Sequence, residues 1–377
     1  MTDEGQQASE DGLDSRVLVM SLSGVVDRRN GTRDLCARFI PKGDGLYDRI
    51  ARYDDDAAFL LGRSDHMHGC ASKFVAPFLK AFGATDYAMH AYAKANLRLM
   101  AGAERAVGYL SHMLPLFVST SAYEHHAAAV AEALGIPHGH LHCTEARLDE
   151  AALEPGEMRR IRAMASEINS LRMPVAEYEL GVPNALSGED VALLRVMDRI
   201  FGKEMPKMGA AEFMSKIDSV GTDDKAYHLV GGRRDSDGGF GSLAYIGGGD
   251  TDFQAMRLVR DGGGLSIAFN GSDFAVRGAG VAVLSDDFTA AAVLASAFHS
   301  GGASAVTALA EEWGEKALAR AGFADSSAVR AMLSAGGLPE VYRVTRGNED
   351  YVAERSGAFR KRLLASGKGR RAEKGKG

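Results

Sequence analysis

Ala244-Tyr245-Ile246-Gly247-Gly248-Gly249-Asp250-Thr251-Asp252 carries a short apolar and aromatic run into a triple glycine, and two acids follow at once. Beyond it, Phe253, Met256 and Val259 fall on one face of a helical repeat over 253–260. A buried strand ending in a glycine turn, with acids at its tip and a helix beyond, is the ligand-binding corner of an open α/β sheet. The same letters suit a plain strand–loop–helix link whose acids cap the helix. Other strand tips in the chain decide between the two.

Arg16-Val17-Leu18-Val19-Met20 is an apolar run of strand length that ends in Ser21-Leu22-Ser23-Gly24. Leu114-Pro115-Leu116-Phe117-Val118 is a second, running into Ser119-Thr120-Ser121 and then a helix from about Tyr123 to Leu134. Gly135 and Pro137 stop that helix. Small hydroxyl residues between a strand and a helix N-terminus suit an anion, because free N–H groups and the helix dipole face it; they are equally good N-caps. Further strands are expected at Ala226–Val230, Gly264–Phe269 and Gly280–Leu284, the last closing the sheet. Residues 25–113 and 145–226 read as helical blocks. Within them Asp54-Asp55-Asp56 is expected to begin a helix, and Ser187-Gly188-Glu189-Asp190 to open another with a capping box. The fold class that follows is α/β, a Rossmann-like parallel sheet core with two helical insertions.

In chain order this gives an acidic disordered tail over 1–15, then a core of 16–24, 114–144 and 227–290. Helical insertions occupy 25–113 and 145–226, a helical segment 291–350, and a basic, partly disordered tail 351–377. Residues 1–15 hold five acids and no base, whereas 360–377 hold eight Lys or Arg and one Glu. A net charge of −6 gives no ground for bulk nucleic-acid or membrane binding; the basic tail could meet nucleic acid or anionic lipid, though such tails are more often merely solubilising. Cys36, Cys70 and Cys143 are far apart and form no CxxC, which argues against a disulfide framework or a Cys-rich zinc site. With an acidic N-terminus and no run near the ~18 apolar residues of a membrane helix, a cytoplasmic location is expected.

Phe117-Val118-Ser119-Thr120-Ser121-Ala122-Tyr123-Glu124-His125, Cys143-Thr144, and Tyr245 through Asn270-Gly271 with Val281-Ala282-Val283 resemble the haloacid dehalogenase (HAD) superfamily of phosphatases, in particular a branch of uncharacterised archaeal proteins. The resemblance covers roughly residues 16–290. It implies four strand tips converging on a phosphoryl group. The first tip carries an Asp nucleophile and a second acid, the second a Ser or Thr, the third a Lys, and the fourth one or two Asp for Mg²⁺. Helical caps close over them.

Against that pattern Ser21 stands at the nucleophile and Ser23 at the general acid. A serine without a base is a poor nucleophile and a poor magnesium ligand, and it cannot protonate a leaving group. Ser119, Thr120 and Ser121 remain for a phosphate oxygen. At the third tip the candidates are Arg233 and Arg234, which differ in shape from lysine. At the fourth, Gly248 replaces one acid, with Asp252 and Asp250 left as weak metal candidates.

Two functions are therefore expected. One is a degenerate HAD-like protein binding a small phosphorylated metabolite or a protein partner through the anion pocket or the cap surfaces, without cofactor. The other is an active phosphatase using Mg²⁺ with acids re-sited to Asp27, Asp250 and Asp252. His138-Gly139-His140-Leu141-His142-Cys143 would align three histidines if extended. Together with Asp65-His66-Met67-His68-Gly69-Cys70 it could build a transition-metal site, though such runs more often face solvent.

Overall fold

In a computed structural model of the chain the described residues are 16–63, 66–174, 185–231, 239–323 and 325–366. The acidic segment 1–15 and residues 367–377 lie outside them. The described residues build one seven-stranded sheet in the order β3-β2-β1-β4-β5-β6-β7. Its strands are β1 (Val17–Met20), β2 (Leu116–Tyr123), β3 (Leu141–Thr144), β4 (Leu243–Gly247), β5 (Leu265–Phe269), β6 (Val281–Leu284) and β7 (Glu340–Arg343). The first six are parallel, and β7 adds an antiparallel edge beyond the strand expected to close the sheet.

Successive side chains leave a strand on opposite faces, and the core divides accordingly. Leu18, Met20, Ala244, Ile246, Ile267 and Val283 pack on one side, and Val19, Tyr245, Ala268 and Ala282 on the other. Both faces are covered, so β4, β5 and β6 are buried along their whole length. The helix Thr289–Glu311 is long and apolar enough to cross a membrane by length and composition alone. Its Ala290, Leu294, Phe298, Val306 and Leu309 lie instead in the first of these core clusters.

The two insertions fuse into one helical cap. Leu46, Ile50, Phe74 and Phe78 from the first share a hydrophobic cluster with Ile161, Met164, Leu193, Met197 and Phe213 from the second. Asp54 and Asp55 end the helix Gly43–Asp55 rather than beginning one. Helix Ala103–Ser111 belongs to the sheet core through Ala103, Val107 and Leu110. One ion network stitches the insertions together: Arg52 Nε lies 3.0 Å from Asp56 Oδ1 and its Nη2 2.9 Å from Asp190 Oδ1, both carboxylates being fully buried. Asp190 also closes the capping box expected at Ser187, accepting from Ser187 N at 2.8 Å.

Removing one partner from a buried network strands the others uncompensated. Arg52→Met should therefore lower unfolding free energy by about 3–5 kcal/mol in a denaturant titration. A loss below about 1 kcal/mol, the worth of an exposed pair, would show that the cap does not depend on it.

Candidate functional site

The C-terminal ends of β1, β2 and β4 meet the cap at a cavity of about 270 Å³. Its floor is set by one buried ion pair. Lys225 Nζ donates to Asp252 Oδ1 at 2.7 Å and to Thr251 Oγ1 at 3.1 Å, and neither charged side chain is more than 1% exposed. Asp252 also accepts from Tyr245 Oη at 2.9 Å and from the amides of Gly248 and Gly249 at 2.8 and 2.9 Å. Burial alone would raise its pKa, but Lys225 and the two amides hold the carboxyl below its ordinary value.

Lys225 corrects the sequence reading. Ala226–Val230 is not a strand: it lies within the helix Thr222–Gly231, whose first turn carries Asp223 and Asp224. The helix presents Lys225 one turn in, and the domain boundary expected after residue 226 separates it from the core it serves. Arg233 and Arg234, the expected third-tip cations, lie outside the described residues.

Ser21, Ser23, Thr120 and Ser121 line the same cavity, which brings the first two strand tips together. Ser119, expected to hold phosphate, lies 3.2 Å from His142 Nδ1 toward β3 and does not line the cavity. The alternation of side chains along β2 sends it the other way. Asp27, expected as a re-sited acid, is absent from the lining as well. It closes the turn after β1, where Ser23 bridges to it, accepts from Arg29 N at 3.2 Å, and has Oδ2 3.1 Å from His126 Nε2.

The cap supplies the roof with Asn30, Thr32, Tyr47, Asp54, Asp55 and His68. His68 Nδ1 lies 2.5 Å from Asp55 Oδ1, and His66 Nδ1 3.2 Å from Asp54 Oδ1. Burial pulls the His68 pKa down, but Asp55, with Asp250 and Asp54 behind it, outweighs burial and raises it. His68 Nε2 is buried without a hydrogen-bond partner.

Magnesium favours octahedral oxygen ligation anchored by one or two carboxylates, and these residues do not fit it. Serine stands at residue 21, and glycine at 248. All four hydrogen bonds noted above occupy the two Asp252 oxygens, so Asp252 has no free lone pair facing the cavity. Asp250 alone is left at this tip. The space beside Gly248 holds a cation already: Arg360 Nη1 donates to Gly248 O at 2.8 Å and to Asn270 O at 3.1 Å. Among the described residues no cluster of three or more His, Cys, Asp or Glu could hold a metal ion. The histidines of 138–143 diverge, because His138–His140 forms a 3₁₀ turn rather than a strand. His140 stacks on Phe117, and His142 on His228 at 4.0 Å between ring centroids. Asp65 lies outside the described residues.

A larger cavity of about 670 Å³ opens within the cap between Tyr53, Arg63, Lys73 and Asp198. The smaller one is the candidate site, because only there do strand tips, a buried lysine and the cap converge.

No family model matches the sequence. No curated protein matches it either. Among solved structures the chain is similar to gene product AF1437 from Archaeoglobus fulgidus, at 22% identity and a TM-score of 0.72, over 93% of this chain and 97% of that one. A phospho-aspartyl intermediate analogue of phosphoserine phosphatase aligns at 10% identity and a TM-score of 0.43, over 74% and 97%. Phosphoserine phosphatase in apo form gives 10% and 0.42, over 73% and 96%. Identities this low speak to fold alone; the first likeness extends the α/β architecture over nearly the whole chain.

Two pH responses follow. His142 is pushed down to about 4 by burial, with His228 and Lys225 adding repulsion. The unfolded chain, with a His pKa near 6.5, then binds the extra proton, so stability should fall as pH drops from about 6.5 toward about 4. His142→Gln should flatten that limb in melting temperature against pH; an unchanged limb would assign it elsewhere. The depressed Asp252 carboxyl contributes stability fully present above about 3.9, the unfolded value, and lost as pH falls through its folded value. Asp252→Asn should cost about 3–5 kcal/mol at neutral pH, leaving Lys225 buried and unpaired.

Proposed function

We propose that the chain binds a small phosphorylated molecule in this cavity and does not form a phospho-enzyme. One observation carries the reading: a buried lysine, Thr120 and the serines 21 and 23 line one cavity, and the first strand tip offers it no carboxylate. An ammonium has three donors. Lys225 gives two to Asp252 and Thr251, which leaves one for a ligand oxygen. Thr120 Oγ1 accepts from Ala122 N at 3.2 Å, so its own proton is free to be donated. Charge-assisted and hydroxyl hydrogen bonds of this kind suit a tetrahedral dianion. The cavity volume fits a small metabolite. The likeness to solved structures bears on fold and not on this ligand.

Without a carboxylate at residue 21 no aspartyl-phosphate can form there, and serine needs an adjacent base to attack. A second reading, hydrolysis of a phosphorylated metabolite by re-sited groups, is favoured by one observation. The Asp55–His68 pair places a buried, unpartnered Nε2 at the roof, with Asp250 beside it. Its raised pKa favours the imidazolium, which could protonate a leaving group.

Inorganic phosphate should raise the melting temperature in a saturable manner, and Thr120→Val should weaken that binding by roughly five- to tenfold, about one hydrogen bond. p-Nitrophenyl phosphate with Mg²⁺ should show no turnover above a protein-free control. Metal-dependent turnover abolished by Asp250→Asn, or turnover whose pH profile shifts in His68→Gln, would overturn the binding reading in favour of hydrolysis.

A further inference from the structure

Arg360 lies in a segment whose composition reads as tail, yet the helix Glu349–Ser366 packs against the helix Asp273–Gly278 and β6. Val352 and Ser356 are fully buried, and Ser356 Oγ donates to Gly271 O at 2.6 Å. Arg277 reaches back to Asp350 at 2.7 Å. From this mooring Arg360 enters the cavity between two glycines. A Cβ at Gly24 would stand 2.9 Å from Arg360 Nη1, and one at Gly248 would stand 3.6 Å from it and 2.8 Å from Phe269 O. Gly24 also has φ +79°, so a side chain there is disfavoured twice. Asn270, itself at φ +48°, turns its carbonyl toward the same guanidinium and pins Ser285 with its side chain. Gly24 therefore leaves room for the guanidinium, and Gly248, held close to the Phe269 carbonyl, meets it with its own carbonyl.

We propose that Arg360 is the fixed cation of the anion pocket, standing where a metal ion would otherwise be needed, so that ligand binding requires the C-terminal helix and no divalent metal. This rests on the anion-binding reading above. A guanidinium has five N–H donors; two go to the Gly248 and Asn270 carbonyls, and three remain. Among the described residues no carboxylate lies within ion-pair distance of it, because Asp252 is engaged with Lys225 and Asp250 acts on it only through space. Burial drags its pKa down from the usual arginine value, yet arginine stays protonated at physiological pH. A charged, half-buried and partly unpaired fork lining a cavity is costly to leave without a partner, and a phosphate group would satisfy it with two parallel hydrogen bonds.

The test is calorimetric titration of the full-length protein with inorganic phosphate and with tungstate, once in EDTA and once in Mg²⁺. The unmodified protein should bind with the same Kd in both. Arg360→Met should weaken binding roughly tenfold or more, the weight of a charge-assisted contact, with no rescue by Mg²⁺. Arg360→Lys should recover part of the loss. Binding that appears only with Mg²⁺, or a Kd unchanged in a folded Arg360→Met, would sink this inference and leave the anion reading standing. Binding in neither buffer would sink both. Should Arg360→Met fail to fold, the comparison of EDTA with Mg²⁺ on the unmodified protein decides alone.

Discussion

The ion pair between Lys225 and Asp252 is the constraint on which the site depends. A lysine and a carboxylate this deep are tolerated only when each is closely paired and further hydrogen-bonded. Here Tyr245 Oη, two glycine amides and Thr251 Oγ1 complete the shell. Meeting these demands fixes three pieces of chain at once: the triple-glycine turn after β4, the start of the helix Thr222–Gly231, and the tyrosine within β4 itself. The pair neutralises itself, so what the cavity offers a ligand is the remaining lysine donor, the hydroxyls of two strand tips and the fork of Arg360. Asp252 is consequently structural here, and any metal role for it would compete with four existing hydrogen bonds.

The two halves of the site differ in character. The sheet side presents donors, whereas the cap presents Asp54 and Asp55, each with its own histidine. Because the two insertions share a single core through Arg52 and a common apolar cluster, this roof is one body rather than two independent flaps. An anion seated on the sheet side would thus leave its remaining atoms facing carboxylate–imidazole pairs.

The sheet was legible because buried parallel strands are apolar runs closed by glycine and hydroxyl residues, and β1, β2, β4, β5 and β6 have that form. The two main cations were not, for different reasons. Ala226–Val230 is a five-residue, mostly apolar segment that periodicity cannot assign between strand and helix. The acids at 223 and 224, which favour a helix N-terminus, were the available tie-breaker. Arg360 was hidden by composition: eight basic residues suggested a solvated tail. Val352, Ser356, Phe359 and Leu363 nevertheless recur at helical spacing and form the docked face, with Phe359 half-buried. Ser21 and Gly248 were plain in the sequence. The cation proposed beside that glycine comes from 112 residues further along the chain, a distance no local pattern spans.

The most direct measurement is a crystal structure of the protein with tungstate and no added metal, read by anomalous scattering. Tungstate should sit between Thr120, Lys225 and Arg360, hydrogen-bonded and not covalently attached. An anion bound elsewhere, or density explained by an octahedral cation on Asp250 with Arg360 turned out of the cavity, would contradict the account.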